Sequence, residues 1–255
     1  MLLSLTIEET NDMTPLGPAV TNDSLEIESI LQGDPSKTLV VLAHGAGANM
    51  HHEFMVDIAN GLVAKGYQVL RFNFLYMQAN MQDGKRRPPD RAPKLLMHFT
   101  RLLNSIEQTI EDNDLVVENI VLMGKSMGGR MAATLLTDDE LIINDEQVEI
   151  SASVNALIKG CICLGYPFVP LKGGEPRLEP LNNGIKPLMV VQGERDKFGG
   201  ISEIPQWDIN KQVKVSWITD GDHSFKPRKS SGTTLEANLK HCLTICDQFI
   251  TDIVD

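Results

Sequence analysis

The chain has 255 residues, 42% of them hydrophobic and 22% charged, with a formal net charge of −11 at pH 7. That balance supports a full core without disulfide staples, and the acidic charge repels phosphate backbones, which excludes general nucleic-acid binding. Residues Met1 to Ile7 lack a basic leader segment and no apolar run approaches the roughly 20 residues needed to span a bilayer, so a soluble, cytoplasmic protein without a membrane partner is expected.

In chain order, Leu3, Leu5 and Ile7, then Leu25 and Ile27, alternate with polar residues. Alternation marks half-exposed strands, and these two are predicted to form an antiparallel margin. Leu39 to Ala43 is a nearly continuous apolar run, as suits a strand covered on both faces. The helix that follows carries Phe54, Ile58 and Leu62 and stops at Lys65-Gly66, where Gly66 can take the left-handed cap. A strand at Tyr67 to Phe74 comes next, then a helix from Pro93 through Leu95, Phe99, Leu102, Ile106 and Ile110.

Ile120 to Met123, Ile158 to Leu164 and Leu188 to Val191 are further buried-strand runs. Val213, Val215 and Trp217 alternate again and mark the opposite sheet edge. The final helix buries the stripe Leu235, Leu239, Cys242, Cys246, Phe249 and Ile253. Neither Cys161 with Cys163 nor Cys242 with Cys246 has metal or redox spacing, so all four are read as structural thiols. Strands and helices alternate, which predicts the α/β class: a mostly parallel eight-stranded sheet, helices on both faces, in one domain over 1–255. The Gly- and Pro-rich stretch Pro167 to Lys186 reads as a loop that returns directly to the strand at Leu188, leaving no room for a large lid domain.

The strongest local signal is Gly124-Lys125-Ser126-Met127-Gly128, a G-x-S-x-G string between an apolar strand and a helical pattern through Met131 and Leu135. A serine hydroxyl is a weak nucleophile, so it needs a base and a group to orient that base. His223, in Gly221-Asp222-His223-Ser224-Phe225 just beyond the last strand, is the candidate general base. Asp196, after the strand Leu188 to Val191, is the candidate acid, with Glu194 as its rival. The backbone N–H groups of Ala46 and Met127 are the candidate oxyanion hole. His44 is read as bracing its loop, and His51, His52, His98 and His241 are assigned no chemistry.

With these elements in order, the chain from His44 to Lys229 resembles the α/β-hydrolase superfamily. Within it the chain is similar to the compact dienelactone-hydrolase-like group, through His44-Gly45-Ala46-Gly47, Gly124-Lys125-Ser126-Met127-Gly128-Gly129-Arg130, Gly165-Tyr166-Pro167-Phe168 and Gly221-Asp222-His223-Ser224-Phe225. Dienelactone hydrolases proper use a cysteine nucleophile, so lactone chemistry does not transfer to Ser126. The residues point to a serine hydrolase that cleaves an ester, thioester or related acyl bond of a small molecule, with no metal or organic cofactor. A catalytically silent binding or scaffold protein and a small serine peptidase are the alternatives, since fold does not imply function. Lys85, Arg86, Arg87 and Arg91, and Lys226, Arg228 and Lys229, are expected on the catalytic rim. There they would attract an anionic substrate, unless Asp83, Asp90 and Asp222 pair with them.

Overall fold

The structure, a computed structural model, describes residues 2–5, 27–112, 115–137, 142–143 and 146–255. In chain order the strands of the main sheet are β1 (Leu2–Leu5), β2 (Ile27–Gln32), β3 (Thr38–Ala43), β4 (Gln68–Phe72) and β5 (Asn119–Lys125). A small hairpin of β6 (Ile142–Ile143) and β7 (Glu146–Gln147) precedes β8 (Ile158–Leu164), β9 (Leu188–Gly193) and β10 (Lys214–Ile218). The eight-stranded sheet has the order β1-β2-β4-β3-β5-β8-β9-β10. All pairs from β4 to β10 are parallel, while β1 and β2 form the antiparallel margin expected from their alternation. Ile7 and Leu25 lie outside the described residues.

The helices are α1 (Glu53–Val63), α2 (Leu75–Asp83), α3 (Ala92–Asp112), α4 (Met127–Thr134), α5 (Ala152–Leu157), α6 (Glu179–Asn182) and α7 (Leu235–Val254). Successive side chains of a strand point to opposite faces, and β3 shows the consequence. Leu39, Val41 and Ala43 pack into the layer built with α3 and α4. Val40 and Leu42 pack into the layer with α1 and α7. Cys242 and Cys246 fall on the buried stripe of α7, and all four cysteines are buried free thiols.

Two local readings need correction. The strand predicted at Tyr67 to Phe74 is shorter, because the chain leaves the sheet after Phe72 and turns into α2, a helix with only Tyr76 and Met77 buried. The stretch Pro167 to Lys186 holds the one-turn helix α6 with its loop, and no lid domain is inserted there. Because β3, β5, β9 and β10 run parallel, the residues just after them gather at one edge of the sheet. In sheets of this kind that edge is where ligands bind.

Candidate active site

Ser126 sits between the end of β5 and the start of α4 with φ 51° and ψ −113°, a left-handed conformation that costs a non-glycine residue about 1–3 kcal/mol. The surrounding glycines make the turn possible. A Cβ on Gly124 would come within 2.3 Å of the Gly128 and Gly129 backbone, and one on Gly128 within 2.5 Å of the Ala43 and His44 carbonyls. The Ser126 N–H donates to the Leu164 carbonyl at 2.9 Å, which ties the turn to β8.

The structure brings the three sequence-predicted side chains together. His223 Nε2 lies 2.8 Å from Ser126 Oγ, and His223 Nδ1 lies 2.7 Å from Asp196 Oδ2. A neutral imidazole can donate from Nδ1 to the carboxylate and accept the serine proton at Nε2. Asp196 has a fully buried side chain. It also accepts from the Phe198 N–H at 2.9 Å and from Gln192 Nε2 at 3.0 Å. Glu194, the rival acid, instead accepts from the Asp220 N–H at 2.7 Å. Burial holds the His223 pKa below its ordinary value, against the pull of the Asp196 hydrogen bond, and the nearby Lys125 charge lowers it further. The ring of Phe198 packs on the imidazole with centroids 4.4 Å apart.

The 44–47 loop is braced as the sequence suggested. His44 Nδ1 is 2.7 Å from the Gly45 carbonyl, and its Nε2 accepts from the Phe74 N–H at 3.1 Å. This fixes one neutral tautomer, and burial pushes the His44 pKa down to about 4. A trans peptide sets the Ala46 N–H opposite the Gly45 carbonyl, so the N–H is turned away from His44. Tyr76 donates to the Ala46 carbonyl at 3.0 Å and holds the next peptide in the same way. Met127 opens α4, where its N–H has no intrahelical acceptor.

Ser126 and His223 open on a cavity of about 290 Å³ whose wall includes Ala46, Ala48, Phe54, Met55 and Phe198. Its walls are largely apolar. Gln192 and Tyr76 are the supporting residues that sequence reasoning missed. Their contacts span 26 residues from Gln192 to Tyr166 and 30 from Tyr76 to Ala46. The one available signal for Gln192 is an amide at the end of an otherwise apolar buried run.

The basic clusters stand off the cavity wall. None of Lys85, Arg86, Arg87, Arg91, Lys226, Arg228 or Lys229 lines the cavity. Arg87 is paired with Asp83, and Arg228 with Asp220. Of the expected carboxylate partners, Asp90 pairs with Lys94, and Asp222 accepts the backbone N–H groups of Ser224 and Lys226.

Residues 36–251 match the family model described as alpha/beta hydrolase domain. Solved structures of similar fold include an esterase from Pyrococcus furiosus, at 15% identity and a TM-score of 0.65, covering 100% of this chain and 91% of that one. A dienelactone hydrolase from Anabaena variabilis aligns at 15% identity and a TM-score of 0.64, covering 100% and 98%. An alpha/beta serine hydrolase without a lid from Xanthomonas campestris aligns at 14% and 0.58, covering 98% and 94%. At these identities the likeness is one of fold.

Proposed function

The chain belongs to the alpha/beta hydrolase family, and from that premise we propose that it cleaves an ester, thioester or related acyl bond through an acyl-enzyme formed on Ser126. The observation that carries this reading is the unbroken line Asp196, His223, Ser126 at 2.7 and 2.8 Å, beside a largely apolar cavity. Ser126 Oγ attacks the acyl carbonyl while His223 Nε2 takes its proton. Asp196 keeps the imidazole in the tautomer that can accept and steadies the imidazolium that forms. The N–H groups of Ala46 and Met127 hold the oxyanion of the tetrahedral intermediate. His223 then gives the proton to the leaving group, and a water repeats the sequence to release the acid.

A small acyl compound suits this cavity of about 290 Å³ with its largely apolar wall. Four buried free thiols suit a reducing compartment and support a cytoplasmic location.

Treatment with a fluorophosphonate followed by mass spectrometry tests the reading. A single adduct on Ser126 is expected in the native chain and none at this position in Ser126→Ala. That variant, still folded, is expected to lose on the order of 10⁴- to 10⁶-fold in kcat on aryl esters. A folded native chain that takes no label and turns over no acyl ester would overturn the proposal in favour of a binding protein.

A further inference from the structure

Lys125 stands between Gly124 and Ser126, at a position of the motif that the turn leaves open to many side chains. The elbow geometry needs the glycines on either side and gives no reason for a lysine. Yet this ammonium is buried, with the residue only 7% exposed. Its Nζ faces the packed rings of Phe54 and Phe225, 5.5 and 5.9 Å from their centroids, which are themselves 5.5 Å apart. Burying an ammonium is costly unless hydrogen bonds and compensating charge receive it.

The group that receives it is the main-chain carbonyl of His223, 2.5 Å from Nζ. A third residue is shaped around that contact. Gly165 has φ +65°, and a Cβ there would come 2.7 Å from Lys125 Nζ and 2.8 Å from the His223 carbonyl oxygen. Only a glycine leaves the two atoms room to meet.

The turn that carries His223 also needs an anchor. It contains two non-glycine residues in left-handed backbone, Asp220 with φ 50° and Phe225 with φ 67°. Both imidazole nitrogens are already engaged, one with Asp196 and one with Ser126. The carbonyl is a main-chain group of His223 through which the end of β5 can fix the residue without touching its proton chemistry.

We infer that Lys125 is a positioning residue for His223, holding its carbonyl and keeping a positive charge near the imidazole. The inference rests on the reading of His223 as general base. The charged and titratable groups facing Lys125 are Asp196 from the loop after β9, Asp222 and His223 from the loop after β10, and Cys242 from α7. The two carboxylates favour the protonated amine, and burial opposes it more strongly, bringing the Lys125 pKa down to about 8. A cation so placed disfavours the imidazolium and leaves His223 neutral, ready to accept a proton. The same charge is close enough to Asp196 to steady the carboxylate through space.

Imidazole NMR titration of the full chain tests this, with kcat/KM for an aryl ester followed over the same pH range. In the native chain the His223 signals are expected to move twice. The first step falls at the imidazole's own titration below pH 6.5, and the second near pH 8, when Lys125 loses its proton. In Lys125→Met, which keeps an unbranched side chain of nearly the same length and removes its charge, the second step is expected to vanish. The first should move upward by about half a pH unit or more, and kcat/KM at pH 7 should fall by roughly tenfold or more.

A merely structural lysine would lower activity while leaving the His223 midpoint in place, and that result overturns the inference. If Lys125→Met does not fold, the native titration decides alone, because the absence of a step near pH 8 also overturns it. A Ser126 adduct together with a one-step titration removes the role of Lys125 and leaves the hydrolase reading standing. A two-step titration in a chain that takes no adduct overturns the hydrolase reading instead.

Discussion

The carboxylates of Asp196 and Asp83 each meet a basic side chain, and the resemblance ends there. Asp196 is fully buried and receives hydrogen bonds from the Phe198 N–H, Gln192 and His223. Asp83 is about a third exposed and shares its charge with Arg87, itself 40% exposed, and more distantly with Lys85. The Arg87 guanidinium holds the Asp83 carboxyl down at about 2, so the pair is real as chemistry. Water nevertheless solvates both ions nearly as well apart as together, and such pairs contribute little. At Asp196 no water stands ready to replace a lost partner, so removing one group leaves the others unpaired in a dry site. Burial decides which of the two carboxylates the molecule depends on.

The sharpest way to break this comparison is to replace Asp196 by asparagine. The amide keeps the shape, but its oxygen and nitrogen cannot both suit the existing donors and the Nδ1 proton. The imidazole is then free to adopt the tautomer that puts a hydrogen on the Ser126 side. A fall of about 10⁴-fold in kcat is expected, measured on an aryl ester with the fold checked by circular dichroism. Retention of a tenth of the native rate would show that Asp196 is not the group that orients the base.

A smaller effect separates buried from exposed titrating groups by pH. His44 and His98 are both buried, and burial pushes each pKa down to about 4. The folded chain keeps both neutral while the unfolded chain binds protons below about pH 6.5. Their contribution to stability is therefore complete above that pH and lost as pH falls towards 4, on the order of 3 kcal/mol for each at the lower end. The Asp83 carboxyl titrates in the folded chain near 2, against an ordinary value of 3.8, so its pairing is untouched over the same interval. Urea unfolding at pH 7.0, 5.5 and 4.5 should show a steep loss that a His98→Phe variant reduces and an Asp83→Asn variant does not. A loss confined to pH below 4 would assign the acid sensitivity to carboxylates instead.

The same division explains what could be read from the residues alone. Strands β3, β5, β8 and β9 were legible because burial on both faces leaves runs of apolar side chains. The three side chains that meet at Ser126 were legible because the glycine-flanked turn imposes a local spacing and the aspartate and histidine follow in a fixed chain order. Helix α2 was not, since only Tyr76 and Met77 are buried and no apolar stripe repeats along it. Gln192, Tyr76 and the Lys125 contact with His223 depend on partners 26, 30 and 98 residues away, and no local pattern reports them. The partners of the basic clusters were only partly legible for a related reason. Chain order places a charge on a loop but does not say which carboxylate reaches it, and Asp220 rather than Asp222 receives Arg228.

Those clusters supply the smallest expected effect. A field from the rim would steer an anionic substrate only if its charges were uncompensated and close to the path into the site. Arg87 is held by Asp83, and neither Arg86 nor Arg87 lines the cavity beside Ser126. In an acidic chain of net charge −11, this double reversal makes the chain four charges more negative, yet at physiological salt its field is screened beyond a Debye length. Arg86→Glu combined with Arg87→Glu is therefore expected to leave kcat/KM within about twofold on a neutral ester and on a carboxylated ester alike. The melting temperature should stay within about two degrees, because only exposed pairs are lost. A selective tenfold loss on the carboxylated ester, growing as salt is lowered, would reverse the comparison. It would mean that exposed charge at the 83–94 segment acts on the substrate over a distance that its contacts do not reveal.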